Sequence, residues 1–206
     1  SKVWWIGVAS GGVWKTTNAG TTWSPVFDGE GSYSIGALTI DPKNPSVVWV
    51  GTGENNNQRS VAYGDGLYRT LDGGKSWKQV ASDTRDHLYS VDFAPDGKTG
   101  FASGTYGRVI KTVDGGRSWK KVLYVDEKTG GADIAMVEGS PNRLFASMWQ
   151  FRRWPDYFKS GGPGSGLYSS LDGGESWKRL EVEDGLPEGE LGRIGIGLSR
   201  SHPEVV

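Results

Sequence analysis

The sequence predicts an all-β protein assembled from four-stranded antiparallel sheets, and three observations carry that prediction. One eight-residue box is written four times: Thr16-Thr-Asn-Ala-Gly-Thr-Thr-Trp23, Thr70-Leu-Asp-Gly-Gly-Lys-Ser-Trp77, Thr112-Val-Asp-Gly-Gly-Arg-Ser-Trp119 and Ser170-Leu-Asp-Gly-Gly-Glu-Ser-Trp177. Successive boxes start 54, 42 and 58 residues apart, the length of one four-stranded sheet with its loops, and a period in that range marks a repeat architecture. The 33 Gly and 10 Trp, with no long helix-forming run, suit many short strands joined by turns.

Each box has a physical reading. Asp-Gly-Gly between two strand-like runs is a tight turn, because Gly accepts positive φ without strain. The carboxylates of Asp72, Asp114 and Asp172 are placed to fold back onto backbone N–H groups of that turn, with the Ser and Thr hydroxyls adding local bonds. The closing Trp77, Trp119 and Trp177 are large enough to plug a seam between neighbouring sheets, each burying about 150–250 Å². The first box departs from the pattern, with Asn18 for Asp and Ala19 for Gly, and closes on Trp23. Asn can make the same bonds, so the change is expected to matter little. Asp as metal ligand or catalyst is the competing reading, but a catalytic group needs one copy and this one recurs.

Between boxes the strands run in order, inner to outer. The second repeat offers 34–40, 47–51, 66–70 and 76–80, the third 88–93, 100–103, 109–112 and 118–122, and the fourth 133–137, 144–148, 166–170 and 176–180. Asp41-Pro-Lys-Asn-Pro, Ala94-Pro-Asp-Gly-Lys and Gly139-Ser-Pro-Asn separate them as turns. The chain starts with three strands, 3–8, 13–16 and 22–26, and ends with a lone inner-type strand over 192–199. Joined, these complete one repeat. The expectation is therefore one domain over 1–206, with repeats at about 1–28 plus 190–206, 29–83, 84–126 and 127–189. Closing an array this way hides edge strands. Two chains sharing blades, or a piece of a longer array, are the alternatives, and the short third repeat would also fit an engineered chain.

The pattern Ser/Thr-x-Asp-x-Gly-x-Ser/Thr-Trp resembles the Asp-box, or bacterial neuraminidase repeat. That repeat occurs in sialidases, xyloglucan hydrolases, sortilin-type receptor domains and a photosystem assembly factor. The resemblance covers nearly the whole chain and implies a β-propeller, here of four blades. It also implies an extracellular or periplasmic setting. It does not select an activity, because those relatives include hydrolases, receptors and chaperone-like binders.

Composition excludes several classes. A net charge of −1 argues against a nucleic-acid partner, which needs a basic stripe. No apolar run approaches the roughly 20 residues of a membrane span. With no Cys and two His, thiolate chemistry, a His-based metal cluster and a Ser-His-Asp triad lack material, so neither metal nor cofactor is expected.

Two long loops remain as candidate ligand-binding elements on the loop-rich face. The first, 51–66, gathers Glu54, Asn55, Asn57, Arg59, Tyr63 and Asp65, a donor and acceptor set suited to sugar hydroxyls or a polar peptide. The second, 149–165, interleaves Trp149, Trp154 and Tyr157 with Arg152, Arg153 and Asp156. Aromatic faces beside Arg hold sugar rings or protein partners. An apolar lid folded over its own sheet is the competing reading. Glycoside hydrolysis needs two carboxylates about 5–10 Å apart; Glu54 with Asp65 or Asp156 are the candidates. Where the resemblance to xyloglucan hydrolases would place a catalytic acid, this chain has Ala9. The sequence therefore points first to a non-catalytic binding or scaffold module, monomeric or sharing blades in a dimer, with a polar ligand, glycan or protein surface as partner. A glycoside hydrolase is the alternative, and an engineered propeller with no evolved ligand a third reading.

Overall fold

A computed structural model describes residues 1–54, 62–82, 84–199, 201, 202 and 206. Sheet 1 contains β1 (Trp4–Val8), β2 (Gly12–Thr16) and β3 (Ser24–Pro25) in that spatial order. Sheet 2 contains β4 (Ile35–Ile40), β5 (Val48–Thr52), β6 (Leu67–Thr70) and β7 (Lys78–Val80), again in order. Sheet 3 has β8 (Leu88–Phe93), β9 (Gly100–Gly104), β10 (Arg108–Thr112) and β11 (Lys120–Tyr124). Sheet 4 runs β12 (Thr129–Val137), β13 (Ser140–Arg153), β15 (Gly166–Ser170) and β16 (Lys178–Arg179), with β14 (Phe158–Ser160) paired to the far end of β13. The pairings of β1 with β2, β4 with β5, β5 with β6 and β12 with β13 are antiparallel, as short turn-linked strands require. Among the described residues the sole helical element is a 3₁₀ turn, Val182–Asp184.

Burial grades from the second strand of a sheet outward. β5 and β9 are buried along their whole length, whereas β16 is wholly exposed. The outermost strands begin two residues later than the sequence suggests, at Lys78, Lys120 and Lys178. The Ser and Trp that close each box still belong to the turn.

The described chain forms two compact units, one of residues 1–100 and 112–119, the other of 101–111 and 120–206. In the first, Val13, Phe27, Ile35, Val50 and Tyr68 form a core, with Trp5 and Trp77 packed against it. A second cluster stacks Trp49 on Phe93 at 4.7 Å and sets Trp119 edge-on to Trp49 at 6.0 Å. In the second unit Phe101, Val109, Ile134, Leu144, Ala146 and Met148 are buried together, and Trp177 packs on them. Burying side chains of this size contributes about 1.5–3 kcal/mol each. The box tryptophans 77, 119 and 177 thus rivet sheets together.

One expected strand is absent. Sheet 1 carries three strands, and the segment 192–199, expected as its inner fourth, has no strand pairing. Instead Ile194, Ile196 and Leu198 pack on Val137, Phe145 and Leu167 of sheet 4. Ser147 Oγ donates to the Ile194 carbonyl at 2.8 Å, and the Ile196 N–H donates to Asp133 Oδ2 at 3.2 Å. Gly195 and Gly197 bare one side of this segment, leaving a single apolar stripe whose burial needs only a neighbouring core.

Candidate functional site

The four boxes are structural turns. In the second, the Thr70 hydroxyl donates to Asp72 Oδ1 at 2.7 Å, Ser76 Oγ donates to Oδ2 at 2.6 Å, and the N–H groups of Lys75 and Ser76 each donate to Oδ1 at 2.9 Å. Asp114 and Asp172 repeat this pattern with Ser118 and Ser176. These bonds, the Ser hydroxyl first, hold all three carboxyls well below the usual carboxylate range. Asn18 substitutes faithfully: its Oδ1 accepts from Thr16 Oγ1 and from the Thr22 N–H at 2.9 and 3.0 Å. Ala19, by contrast, is held at φ +57°, where Gly73 sits at +71° in the second box. That substitution does matter, because an L side chain strains this conformation.

Two features of the boxes escaped the sequence reading. The N–H of the first box Gly donates to a carbonyl just before or at the start of the second strand of its own sheet: Gly73 to Ser46, Gly115 to Lys98 and Gly173 to Asn142, at 2.8–2.9 Å. The residue just before a box is often a cation that grips the next box. Lys15 Nζ donates to the Gly73 carbonyl at 2.7 Å while lying over the Trp5 ring. Arg69 does the same to Gly115 at 2.8 Å over Trp49, and Lys111 reaches the Glu175 carboxylate at 2.8 Å. The signal was in the sequence as Lys15-Thr, Arg69-Thr and Lys111-Thr, broken at Ser169-Ser.

In the first unit, Asn55, Asn57 and Arg59 lie outside the described residues, so only the ends of their loop are placed. Glu54 is 5% exposed, and its N–H donates to His87 Nδ1 at 2.9 Å. Burial lowers the His87 pKa, which keeps this nitrogen an acceptor. Asp65 accepts the Tyr68 hydroxyl at 2.5 Å and pairs with Arg85 at 3.4 Å. Burial, then the bond to Asp65, pushes the Tyr68 hydroxyl up to about 12. Asp65 thus braces the Gly31 turn, whose N–H donates to Tyr68. Tyr63 is exposed and meets Tyr33 edge-on at 6.5 Å. An open groove of about 540 Å³ lies nearby, lined by Gln79 to Ser82, Thr84 and Arg85. Ala9 stands in the tight β1–β2 turn, with no acid in its place. Among the described residues no three His, Cys, Asp or Glu cluster to hold a metal.

In the second unit the stretch expected as a loop is a hairpin, the far end of β13 paired with β14 as Phe151↔Ser160, Arg152↔Lys159 and Arg153↔Phe158. Its base is anchored. Trp149 is buried, stacked on Phe151 at 4.3 Å, bonded from Nε1 to Ser160 Oγ, and covered by the Arg193 guanidinium at 5.3 Å. Its end is exposed: Trp154 is 42% and Tyr157 58% accessible, their rings 5.5 Å apart. Arg152 lies over Trp154 and Arg153 over Phe158, at 5.9 and 5.5 Å. Asp156 sits exposed in the connecting turn. The hairpin is therefore a buried base carrying an exposed aromatic and guanidinium end.

No helix of the described residues is long and apolar enough to cross a membrane. The family model for the photosynthesis system II assembly factor YCF48 matches residues 70–191, more than half of the chain. The chain is 27% identical, over 87% of its length, to a xyloglucanase of Acetivibrio thermocellus, and 24% identical, over 91%, to one of Paenibacillus. It spans 24% and 20% of those two proteins. Among solved structures, an ancestral GH74 enzyme superposes with a TM-score of 0.67 at 20% identity, over 87% of this chain and 24% of that one. YCF48 from Cyanidioschyzon merolae superposes with a TM-score of 0.54 at 16% identity, over 88% and 56%. At these identities the likeness shows the fold, a β-propeller.

Proposed function

Because the chain belongs to the photosynthesis system II assembly factor YCF48 family, we propose that it is a non-catalytic binding module, a single propeller domain over 1–206 that engages a protein surface. Its contact element is the hairpin of β13 and β14, with Arg152, Arg153, Trp154 and Tyr157 as contact residues and Trp149 as their support. One observation carries this reading: the hairpin exposes large rings and guanidinium groups at its end while its base is locked by stacking and hydrogen bonds. A rigid base lowers the entropy lost on binding, and Trp, Tyr and Arg are the side chains that dominate contact energies. The carboxylates speak against hydrolysis. Asp65 already holds Tyr68 and Arg85, and Ala9 lacks an acid altogether.

The second reading is a glycoside hydrolase working through Glu54, favoured by the two xyloglucanases among the relatives. A panel of chromogenic glycosides and polymers, xyloglucan included, separates the two. No turnover is expected. Turnover abolished by Glu54→Gln would overturn the binding-module reading.

A further inference from the structure

We propose that the exposed end of the hairpin takes an extended, carboxylate-rich polypeptide segment, laid along the open flank of Phe151–Arg153. This rests on the binding-module reading above and adds the chemistry of the partner.

Charge comes first. Among the described residues no carboxylate pairs with Arg152 or Arg153; each guanidinium lies over a ring instead, Trp154 and Phe158 respectively. Both side chains are exposed, and a guanidinium over a ring retains N–H donors whose fork fits a carboxylate in bidentate fashion. Lys159, opposite Arg152, pairs with Glu190 at 3.6 Å, about half exposed on both sides, weak enough to be exchanged. A sugar platform requires free ring faces. Here Trp154 and Phe158 each carry a guanidinium on a face, so the surface offered is cationic.

The backbone supplies direction. β12 accompanies β13 only as far as Thr129↔Gln150, whereas β14 covers Phe151 to Arg153 from the other flank. Beyond Gln150 no strand occupies the β12 side of the hairpin among the described residues. An extended chain added there is bound through main-chain hydrogen bonds, with alternate side chains on opposite faces. The register places Arg152 with Lys159 on one face and Arg153 with Phe158 on the other. Adjacent acidic residues of an added strand would therefore meet Arg152 and Arg153 in turn, and a run of acids satisfies both faces.

The test uses the whole chain and a fluorescein-labelled peptide of about a dozen residues with a central run of four Glu, read by anisotropy. Three companions accompany it: the same peptide with Gln for Glu, the Glu peptide N-methylated along its backbone, and a xyloglucan oligosaccharide. Saturable binding of the Glu peptide is expected, weakening several-fold between about 50 and 300 mM salt. The double variant Arg152→Gln, Arg153→Gln should lose about tenfold in affinity with an unchanged melting temperature, since both side chains are exposed. The Gln and N-methylated peptides should bind at least as weakly as that variant binds the Glu peptide. Equal binding of the Gln peptide, indifference to the double variant, or oligosaccharide binding that the variant abolishes each overturns the proposal. Glycoside turnover by the same preparation would instead sink the binding-module reading, so the two failures are told apart.

Discussion

Gly116→Ala isolates how the box turns carry load. Gly116 sits at φ +76°, and a Cβ there would overlap Cη2 of Trp49. Trp49 cannot retreat, being 1% exposed and held between Phe93 and Trp119. The left-handed backbone costs Ala about 1–2 kcal/mol, and forcing a methyl into this packing adds about 1–3 kcal/mol. The total is about 2–5 kcal/mol. Its neighbour Gly115 is the internal control. It has nearly the same backbone, φ +70°, but its added Cβ meets nothing closer than the Gly97 carbonyl at 3.5 Å. Gly115→Ala should therefore cost only the backbone strain, about 1–2 kcal/mol. Urea titrations of both variants, followed by tryptophan fluorescence, give the two midpoints directly. At about 2–4 °C per kcal/mol for a chain of this size, the gap should also show in melting temperature. Equal destabilisation, within about 0.5 kcal/mol, would refute the claim that the second box Gly is required by the ring packed on it rather than by its backbone angle.

Two further outcomes follow from the boxes. Ala19→Gly relieves the positive φ of the first box and should stabilise the chain by about 1 kcal/mol; an unmoved or lowered urea midpoint contradicts this. Acid stability should report the depressed carboxyls of Asp72, Asp114 and Asp172. A group whose folded pKa lies below its unfolded value, about 3.9 for Asp, stabilises above that value, and the gain disappears as pH falls through the folded one. Stability should thus decline below about pH 4, and replacing all three by Asn should flatten the decline. An identical acid slope in the triple variant would show that these groups do not drive it.

What the sequence discloses depends on whether the deciding interaction is local. The boxes were legible because Asp72 bonds partners no more than four residues away, so the spacing in the chain is the spacing in space. The hairpin was misread as a loop although Trp149, Gln150, Phe151 and Arg152 alternate apolar with polar. Pro155 and the glycines after Ser160 signalled a turn, and strand pairing such as Arg152↔Lys159 is invisible until the two halves are brought together. The segment 192–199 erred in the opposite direction. Its Ile-Gly-Ile-Gly-Leu alternation is equally that of a strand or of a stripe laid on a neighbour's core, and Val137, Phe145 and Leu167 decide for the stripe. Asp65 was a plausible acid by type. Only its contacts with Tyr68 and Arg85 reveal a brace.

The grip of Lys15 on Gly73, of Arg69 on Gly115 and of Lys111 on Glu175 always points towards the C-terminus. Such stitching has a polarity, and polarity governs how this kind of chain can grow. A duplicated copy of the second repeat brings its own forward stitch and offers the box glycine carbonyl that Arg69 grips, so both new joints are sewn at birth; a copy of the third would set Arg117 where Lys111 needs a carboxylate. A copy of the fourth repeat brings Ser169 instead, and whatever is spliced after it must be fastened by other means.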